Sequence, residues 1–424
     1  MKSNYKPLGD YIQEVNVRNA ALEVNLLLGV SIQKKLMPSI ANTIGTNMGT
    51  YKIIKRNQFA YGPVTSRNGD KISIALMDEH DEAIVSQAYT PFEVIDTNEL
   101  HPEYLMMWFR RPEFDRYARF MSHGSAREIF GWEEMCNTLL PIPSPEKQRE
   151  IVAEYNVIQN RIKLNNQLIQ KLEETAQTIY KQWFVDFEFP DKNGKPYKSN
   201  GGKMVYNEEL DKEIPEEWEV KTIDDCNLYI SDLVANGSFQ SIKENVLPTE
   251  NQNFALFVRN TDLKSNFKKK LFVNEHAYNF LKKSKLYGGE IIIPNVSDIG
   301  TVHICPSLNI PMTLGNNCIM VRSEKMNYWL FNFFKSFDGQ SCLEEATVGS
   351  VQKKLSKTNF KNIKLLRPPK EIVEKYNSIA MFLQKNIDNR IKLLTLLNEL
   401  TSISLAEMSV QKISPTILQV KKSS

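Results

Sequence analysis

The chain repeats itself. Glu150-Ile151-Val152-Ala153-Glu154-Tyr155-Asn156 returns as Glu371-Ile372-Val373-Glu374-Lys375-Tyr376-Asn377, an offset of 221. Asn160-Arg161-Ile162-Lys163-Leu164 returns as Asn389-Arg390-Ile391-Lys392-Leu393, an offset of 229, so the second copy carries eight more residues between the blocks. A repeat at this distance decides architecture before any local pattern does. With 424 residues there is room for two such copies, each with its own core.

Both repeated blocks lie in helical patterns. Ile151, Tyr155, Ile158, Ile162, Asn165, Ile169, Leu172, Ala176, Ile179 and Trp183 alternate steps of four and three residues, a heptad seam with one polar member, Asn165. Ser144, Pro145 and Glu146 supply an N-cap, a first-turn proline and a first-turn acid, which mark the helix start. In the second copy Ile372, Tyr376, Ile379, Leu383, Ile387, Ile391 and Leu394 include three consecutive four-residue steps, a stutter that unwinds a supercoil locally without ending the helix. Stripes this narrow and long suit a helix partner better than a sheet, so the two helices are expected to pack on each other; each lying on its own domain is the alternative.

The segments before the helices also match. Tyr5-Lys6-Pro7-Leu8-Gly9-Asp10 resembles Trp218-Glu219-Val220-Lys221-Thr222-Ile223-Asp224-Asp225, and Gly124-Ser125 resembles Gly349-Ser350. Strands are expected at Lys71–Leu76 and Ala83–Ile95, joined as a hairpin around the acidic turn 78–82, and later at 291–293, 301–304 and 318–321. Short helices are expected at 102–111 and 327–337. Each half therefore reads as an α+β domain closed by a long helix. The boundaries fall at 1–143, the helix 144–189, a linker 190–215, a second domain 216–367, the helix 368–408 and a tail 409–424.

Known chemistry leaves no mark. There is no GxxxxGK[ST] or GxGxxG loop to cradle phosphates, no HExxH and no GxSxG. No [Asn/Asp]-Pro-Pro-aromatic tetrapeptide is present for a base amino-methyltransferase, and the five cysteines and five histidines are scattered without metal-ligand spacing. Catalytic and metal-ligating residues are accordingly expected to be absent. The cysteines read as reduced thiols and no apolar run approaches a membrane span, so a cytoplasmic protein without membrane contact is expected.

The net charge of +3 names no partner, but its distribution is uneven. Residues 257–286 carry eight Lys and Arg against two acids, and 351–370 carry seven with no acid, while 208–225 is strongly acidic. Cations interleaved with aromatics suit a phosphate-tracking surface, although a solvated lysine face is the commoner explanation of charge alone. Candidate DNA contacts in the second half are Arg259, Asn260, Lys264, Lys268, Lys269, Lys270, Asn295, Ser350, Gln352, Lys353 and Lys354. In the first half they are Arg56, Asn57, Tyr61, Ser66, Arg67, Asn68, Lys71, Ser125 and Arg127, since Arg pairs with guanine and Asn with adenine; Ser66-Arg67-Asn68-Gly69-Asp70 is equally a plain hairpin turn.

The doubled chain resembles the DNA specificity subunits of type I restriction-modification systems. The resemblance rests on Ala176-Gln177-Thr178-Ile179-Tyr180-Lys181-Gln182-Trp183-Phe184-Val185-Asp186-Phe187, on Ile214-Pro215-Glu216-Glu217-Trp218-Glu219-Val220, and on Pro141-Ile142-Pro143-Ser144-Pro145-Glu146-Lys147-Gln148. It implies an α+β fold with two target recognition domains, each reading one half of a bipartite asymmetric site in double-stranded DNA. Between them two long helices, the family's conserved regions, form an antiparallel coiled coil that acts as a spacer and relates the halves by a pseudo-twofold axis. It further implies no catalysis by this chain, two methyltransferase subunits docked on the helices, and motor-nuclease subunits beyond them. S-adenosylmethionine, ATP and magnesium then belong to those partners. Ile151, Tyr155, Ile162, Leu172, Trp183, Phe184, Ile372, Tyr376, Ile391 and Leu394 are the helix positions assigned to partner binding. A stand-alone DNA-modifying or DNA-cleaving enzyme, and a scaffold or decoy copy that binds the methyltransferase but not DNA, are the alternatives.

Overall fold

The computed structural model describes residues 5–39, 45–66, 71–124, 127–349 and 353–408. The chain divides into unit 1, formed by Met1–Leu164 with Leu393–Ser424, and unit 2, formed by Asn165–Lys392. Two long helices, α1 (Pro145–Phe184) and α2 (Lys370–Glu407), contribute residues to both units. Helix α1 starts where expected, with the Ser144 hydroxyl accepting from the Lys147 amide at 3.4 Å.

Every member of the α1 stripe is buried or half-buried, and its partner is α2. Within unit 2 the Asn165 side chain donates to the Arg390 carbonyl at 2.7 Å and the Tyr376 hydroxyl to the Ala176 carbonyl at 3.1 Å, so α1 and α2 run antiparallel there. Within unit 1 the Gln159 amide donates to the Thr401 hydroxyl at 3.1 Å. The α2 stripe continues past Leu394 through Leu397, Leu405 and Met408, all buried, beyond the last position that the heptad pattern identifies.

Unit 1 is built on a four-stranded antiparallel sheet in the order Ile12–Glu14, Thr90–Val94, Phe59–Gly62, Ser73–Leu76. The expected hairpin around 78–82 does not form. Ser73–Leu76 pairs with Phe59–Gly62 instead, and Glu82–Val85 pairs with Lys52–Lys55. The reason lies in Phe59, Ala60 and Tyr61, three successive fully buried residues that belong mid-sheet and take a neighbour on each side. Helices Pro102–Arg110 and Pro112–Phe120 cover the core, where Phe59 stacks on Phe92 at 4.7 Å and meets Phe109 edge-on at 5.9 Å. Val152 and Tyr155 of α1, Leu405 of α2 and Met408 just after it belong to the same cluster.

Unit 2 has two four-stranded sheets. One runs Tyr229–Asp232, Cys318–Arg322, Ile291–Pro294, His303–Ile304, all antiparallel; the other runs Phe272–Val273, Ala255–Val258, Met312–Leu314, Lys285–Leu286 and contains one parallel pair. The segment 190–215 is folded onto this unit: Met204–Asn207 pairs with Lys212–Pro215, and Phe189 stacks on Tyr197 and Trp218 at 4.5 and 5.3 Å. Its Gly and Asn residues are turn residues of an ordered segment. The expected helix 327–337 is observed as Asn327–Lys335, followed by Phe337–Glu345 after a break at Ser336.

Each unit taken alone shows the same plan. An opening strand pairs antiparallel with the strand just before the long helix, Tyr5–Pro7 with Leu139–Pro141 in unit 1 and Glu219–Thr222 with Lys364–Arg367 in unit 2. A short 3-10 turn follows each opening strand, Leu8–Asp10 and Asp224–Cys226. Two consecutive helices are followed by a narrow bridged loop, His123 with Ile129 and Val348 with Lys354, then a five-residue helix. The loops hold Gly124 and Gly349 at φ +132° and +105°; at Gly124 an added Cβ would lie 2.2 Å from the Arg127 carbonyl oxygen. The sequence repeat is therefore a repeat of fold.

Candidate nucleic-acid interface

In unit 1 the structure redistributes the sequence candidates. Arg56 is paired with Asp81 at 3.0 Å and donates to the Asp78 carbonyl at 2.6 Å, and Asn57 is an exposed turn residue at φ +68°. Tyr61 is a correction: it is fully buried, its hydroxyl donates to the Phe130 carbonyl, and burial drives its pKa far up, so it belongs to the core. Ser66 and Arg127 are exposed, whereas Arg67, Asn68 and Ser125 lie outside the described residues, as do Ser350 and Gln352.

Lys71 does join a cationic site, with partners that the sequence does not announce. Lys34, Lys35, Arg110, Arg116 and Arg119 line the same cavity of about 970 Å³, where Asp115 is the one carboxylate among the described residues. Lys34, 4% exposed, pairs with Asp115 at 2.7 Å; burial lowers its pKa, and Asp115 opposes that shift. The signal in the sequence is Arg110, Arg111, Arg116 and Arg119 within ten residues, diluted by Glu113 and Asp115 to a local net charge of only +2.

In unit 2 several candidates are committed to internal bonds. Arg259 caps the helix Asn260–Lys264, with its guanidinium held by buried Asp262 at 2.7 and 2.9 Å. Asn260 donates to Asp298 at 2.9 Å and meets His303 Nε2 at 2.9 Å, and Lys264 reaches the same Asp298 at 2.8 Å. Arg259 is thus tied to Asp262, and Asn260 and Lys264 share Asp298, while the Arg259 and Lys264 side chains remain 31% and 45% exposed. The run 351–370 is also largely neutralised, by acids remote in sequence: Lys353 with Glu344, Lys357 with Asp232, Lys361 with Asp224 and Lys364 with Glu209, at 2.5 to 3.1 Å. Lys268, Lys269, Lys270 and Lys354 are exposed, with no carboxylate within 4.0 Å among the described residues.

Asn295 lies on a cavity of about 290 Å³ with apolar walls that include Ile242, Val246 and Phe257. Its side-chain oxygen is buried without a partner, and Asn316 and Asn317 line the same space. Three amides converging on an apolar hollow are what recognition of a flat polar edge requires. Asn316 and Asn317 escape sequence reading because Gly315-Asn316-Asn317 is an ordinary turn sequence.

The helix positions assigned to partner binding meet their own chain. Trp183 and Phe184 are 9% and 6% exposed, and Phe184 lies 4.9 Å from Tyr376, 5.9 Å from Trp218 and 6.0 Å from Trp329 by ring centroids. Tyr155 is buried in unit 1, and Ile151, Ile162, Leu172, Ile372, Ile391 and Leu394 are half-buried. The heptad stripe marks the helix–helix seam. Outside it the helices expose Val157, Leu164, Leu396, Leu400 and Ile403 in unit 1 and Leu168, Met381 and Phe382 in unit 2. Among the described residues no group of three potential ligands for a metal exists, and no helix is long and apolar enough to cross a membrane.

Comparison with known proteins agrees with this doubled plan. The type I restriction modification DNA specificity domain matches residues 32–174 and again 215–402. The type I restriction enzyme MjaIX specificity subunit of Methanocaldococcus jannaschii is 26% identical over 315 residues, 72% of this chain and 68% of that protein. The HindI specificity subunit of Haemophilus influenzae is 28% identical over 141 residues, 32% of this chain and 30% of that one. In fold, the S subunit from M. genitalium superposes with a TM-score of 0.57 at 13% identity over 96% of both chains. The chain is a member of the type I restriction-modification DNA specificity subunit family.

Proposed function

We propose that this chain is the non-catalytic DNA-reading subunit of a type I restriction-modification complex, in which each unit reads one half of a bipartite, asymmetric site in duplex DNA. The observation that carries the reading is the same opening strand, helix pair, bridged loop and long helix in both units. Two readers of one plan but different surfaces suit two different half-sites, as half-site geometry demands. In unit 2 the amides of Asn295, Asn316 and Asn317 supply base-edge recognition, and Lys268–Lys270 supply phosphate contacts. The outward apolar residues of α1 and α2 dock two methyltransferase subunits, and motor-nuclease subunits join that assembly. S-adenosylmethionine, ATP and magnesium are carried by those partners.

Co-expression with the cognate methyltransferase, followed by genome-wide mapping of modified bases, tests the reading. A split motif with an unspecified spacer, lost when this chain is omitted, is the expected result. Cleavage or methylation by the purified chain alone favours an enzyme, and a methyltransferase complex without sequence-dependent modification favours a scaffold or decoy.

A further inference from the structure

The cationic cavity of unit 1 stands apart from the amide-lined hollow of unit 2. Among the described residues six cations line it, Lys34, Lys35, Lys71, Arg110, Arg116 and Arg119, against one carboxylate, Asp115. They come from separated stretches of chain that only the fold brings together. Half of that charge is already compensated: Lys34 by Asp115 at 2.7 Å and the Phe109 carbonyl, Arg116 by Glu113 at 3.3 Å, and Arg119 by Glu128 at 2.7 Å. For Lys35, Lys71 and Arg110 no carboxylate lies within 4.0 Å among the described residues.

Arg110 is held in place by an aromatic ring, with Asp78 acting on its charge only from beyond 4.0 Å. Its guanidinium lies 5.8 Å from the Tyr155 ring centre and donates to the Tyr155 hydroxyl at 3.3 Å. A fork so oriented, with two uncommitted lysines on the same wall, presents donors to an oxyanion that accepts several at once. Low-dielectric walls concentrate the positive potential in the hollow. The volume of about 970 Å³ admits more than a single ion.

We propose that this cavity is a phosphate-binding cleft in which Lys35, Lys71 and Arg110 engage the oxygens of a phosphate-bearing ligand. Two sources share that chemistry, the backbone of duplex DNA and a free polyphosphate such as a nucleotide carries. For the first source the inference rests on the DNA-reading role proposed above; for the second it does not.

The test uses the full chain assembled with its methyltransferase partner. It compares wild type with Lys35→Gln/Lys71→Gln and with the charge-keeping Lys35→Arg/Lys71→Arg, all checked for equal thermal midpoints. Inorganic tripolyphosphate is titrated by calorimetry, and duplex DNA affinity is measured from 50 to 200 mM salt. If the backbone is the ligand, the Gln variant loses close to two units of the log–log salt slope, about 0.9 per phosphate contact, and the Arg variant keeps it. If a free polyphosphate is the ligand, tripolyphosphate binding falls at least tenfold in the Gln variant, survives in the Arg variant, and the DNA slope stays put. Wild-type affinity for tripolyphosphate without any affinity for DNA would defeat the DNA-reading role and leave the cleft standing. Equal behaviour of the Gln variant and wild type in both measurements, or equal losses in the Gln and Arg variants, overturns the proposal.

Discussion

The side-chain amide of Asn165, on α1, donates to the main-chain carbonyl of Arg390, on α2, at 2.7 Å, and Asn165 is only 2% exposed. Its Oδ1 is left without a partner, so one polar atom lies unpaired in an otherwise apolar seam. A single seam Asn favours one register at some expense in stability. Asn165→Leu removes the unpaired atom and is expected to leave stability unchanged or raise it by about 1 kcal/mol. Asn165→Asp buries a charge and is expected to lose about 3 kcal/mol or more at neutral pH. Urea midpoints of the full chain distinguish the two; equal losses would mean that the Arg390 bond does more than fix register.

On the helix pair in unit 2 Phe184 is buried and Phe382 exposed. Phe184→Ala opens a cavity among Tyr376, Trp218 and Trp329 and is expected to cost about 3–5 kcal/mol. Phe382 is 66% exposed, so Phe382→Ser should shift stability by no more than about 0.5 kcal/mol while weakening co-purification of the methyltransferase. Undiminished co-purification would remove this residue from the docking face.

Lys268, Lys269 and Lys270 lie on a turn after the helix Asn260–Lys264. Replacing all three with Gln is expected to weaken binding uniformly across sequences and to lower the salt slope by about 2–3 units. Fluorescence anisotropy on cognate and unrelated duplexes reads both effects. An unchanged slope would show that these side chains point into solvent in the complex.

Acid should loosen unit 2 through His303. Burial, with the nearby charges of Lys264 and Lys335, holds its pKa at about 4, below the ordinary 6.5. The folded imidazole is therefore neutral between those values while the unfolded one takes up a proton, so stability present above pH 6.5 is lost as pH falls toward 4. The loss is on the order of 2 kcal/mol after allowance for the ring's partial exposure. His303→Gln should flatten this part of the stability–pH curve, and a curve as steep as wild type would assign the acid sensitivity to other groups.

Much of the architecture was legible because it is periodic. Steps of three and four residues located both helices and their mutual seam, and the offset blocks announced two copies of one fold. Pairings set by non-local burial were not legible: Ser73–Leu76 joins Phe59–Gly62 because that strand is buried on both faces, which no window around the acidic turn reveals. Local charge was hard to read for the same reason. Lys361 and Lys364 look unopposed in sequence, yet they reach Asp224 and Glu209, more than 130 residues away. Conversely, Arg110, Arg116 and Arg119, whose run is only +2 in sequence, line a common hollow.

The placement of Leu405 and Met408 in the core of unit 1 bears on synthesis. Unit 2 is one continuous stretch, 165–392, inserted into a unit whose two parts are 1–164 and 393–424. Residues 1–164 leave the ribosome first, but their core stays open until 393–408 emerge and supply the missing apolar side chains. The usual order of domain completion is thus reversed. A ribosome that stalls after unit 2 would present one finished domain beside one whose core still lacks Leu405 and Met408.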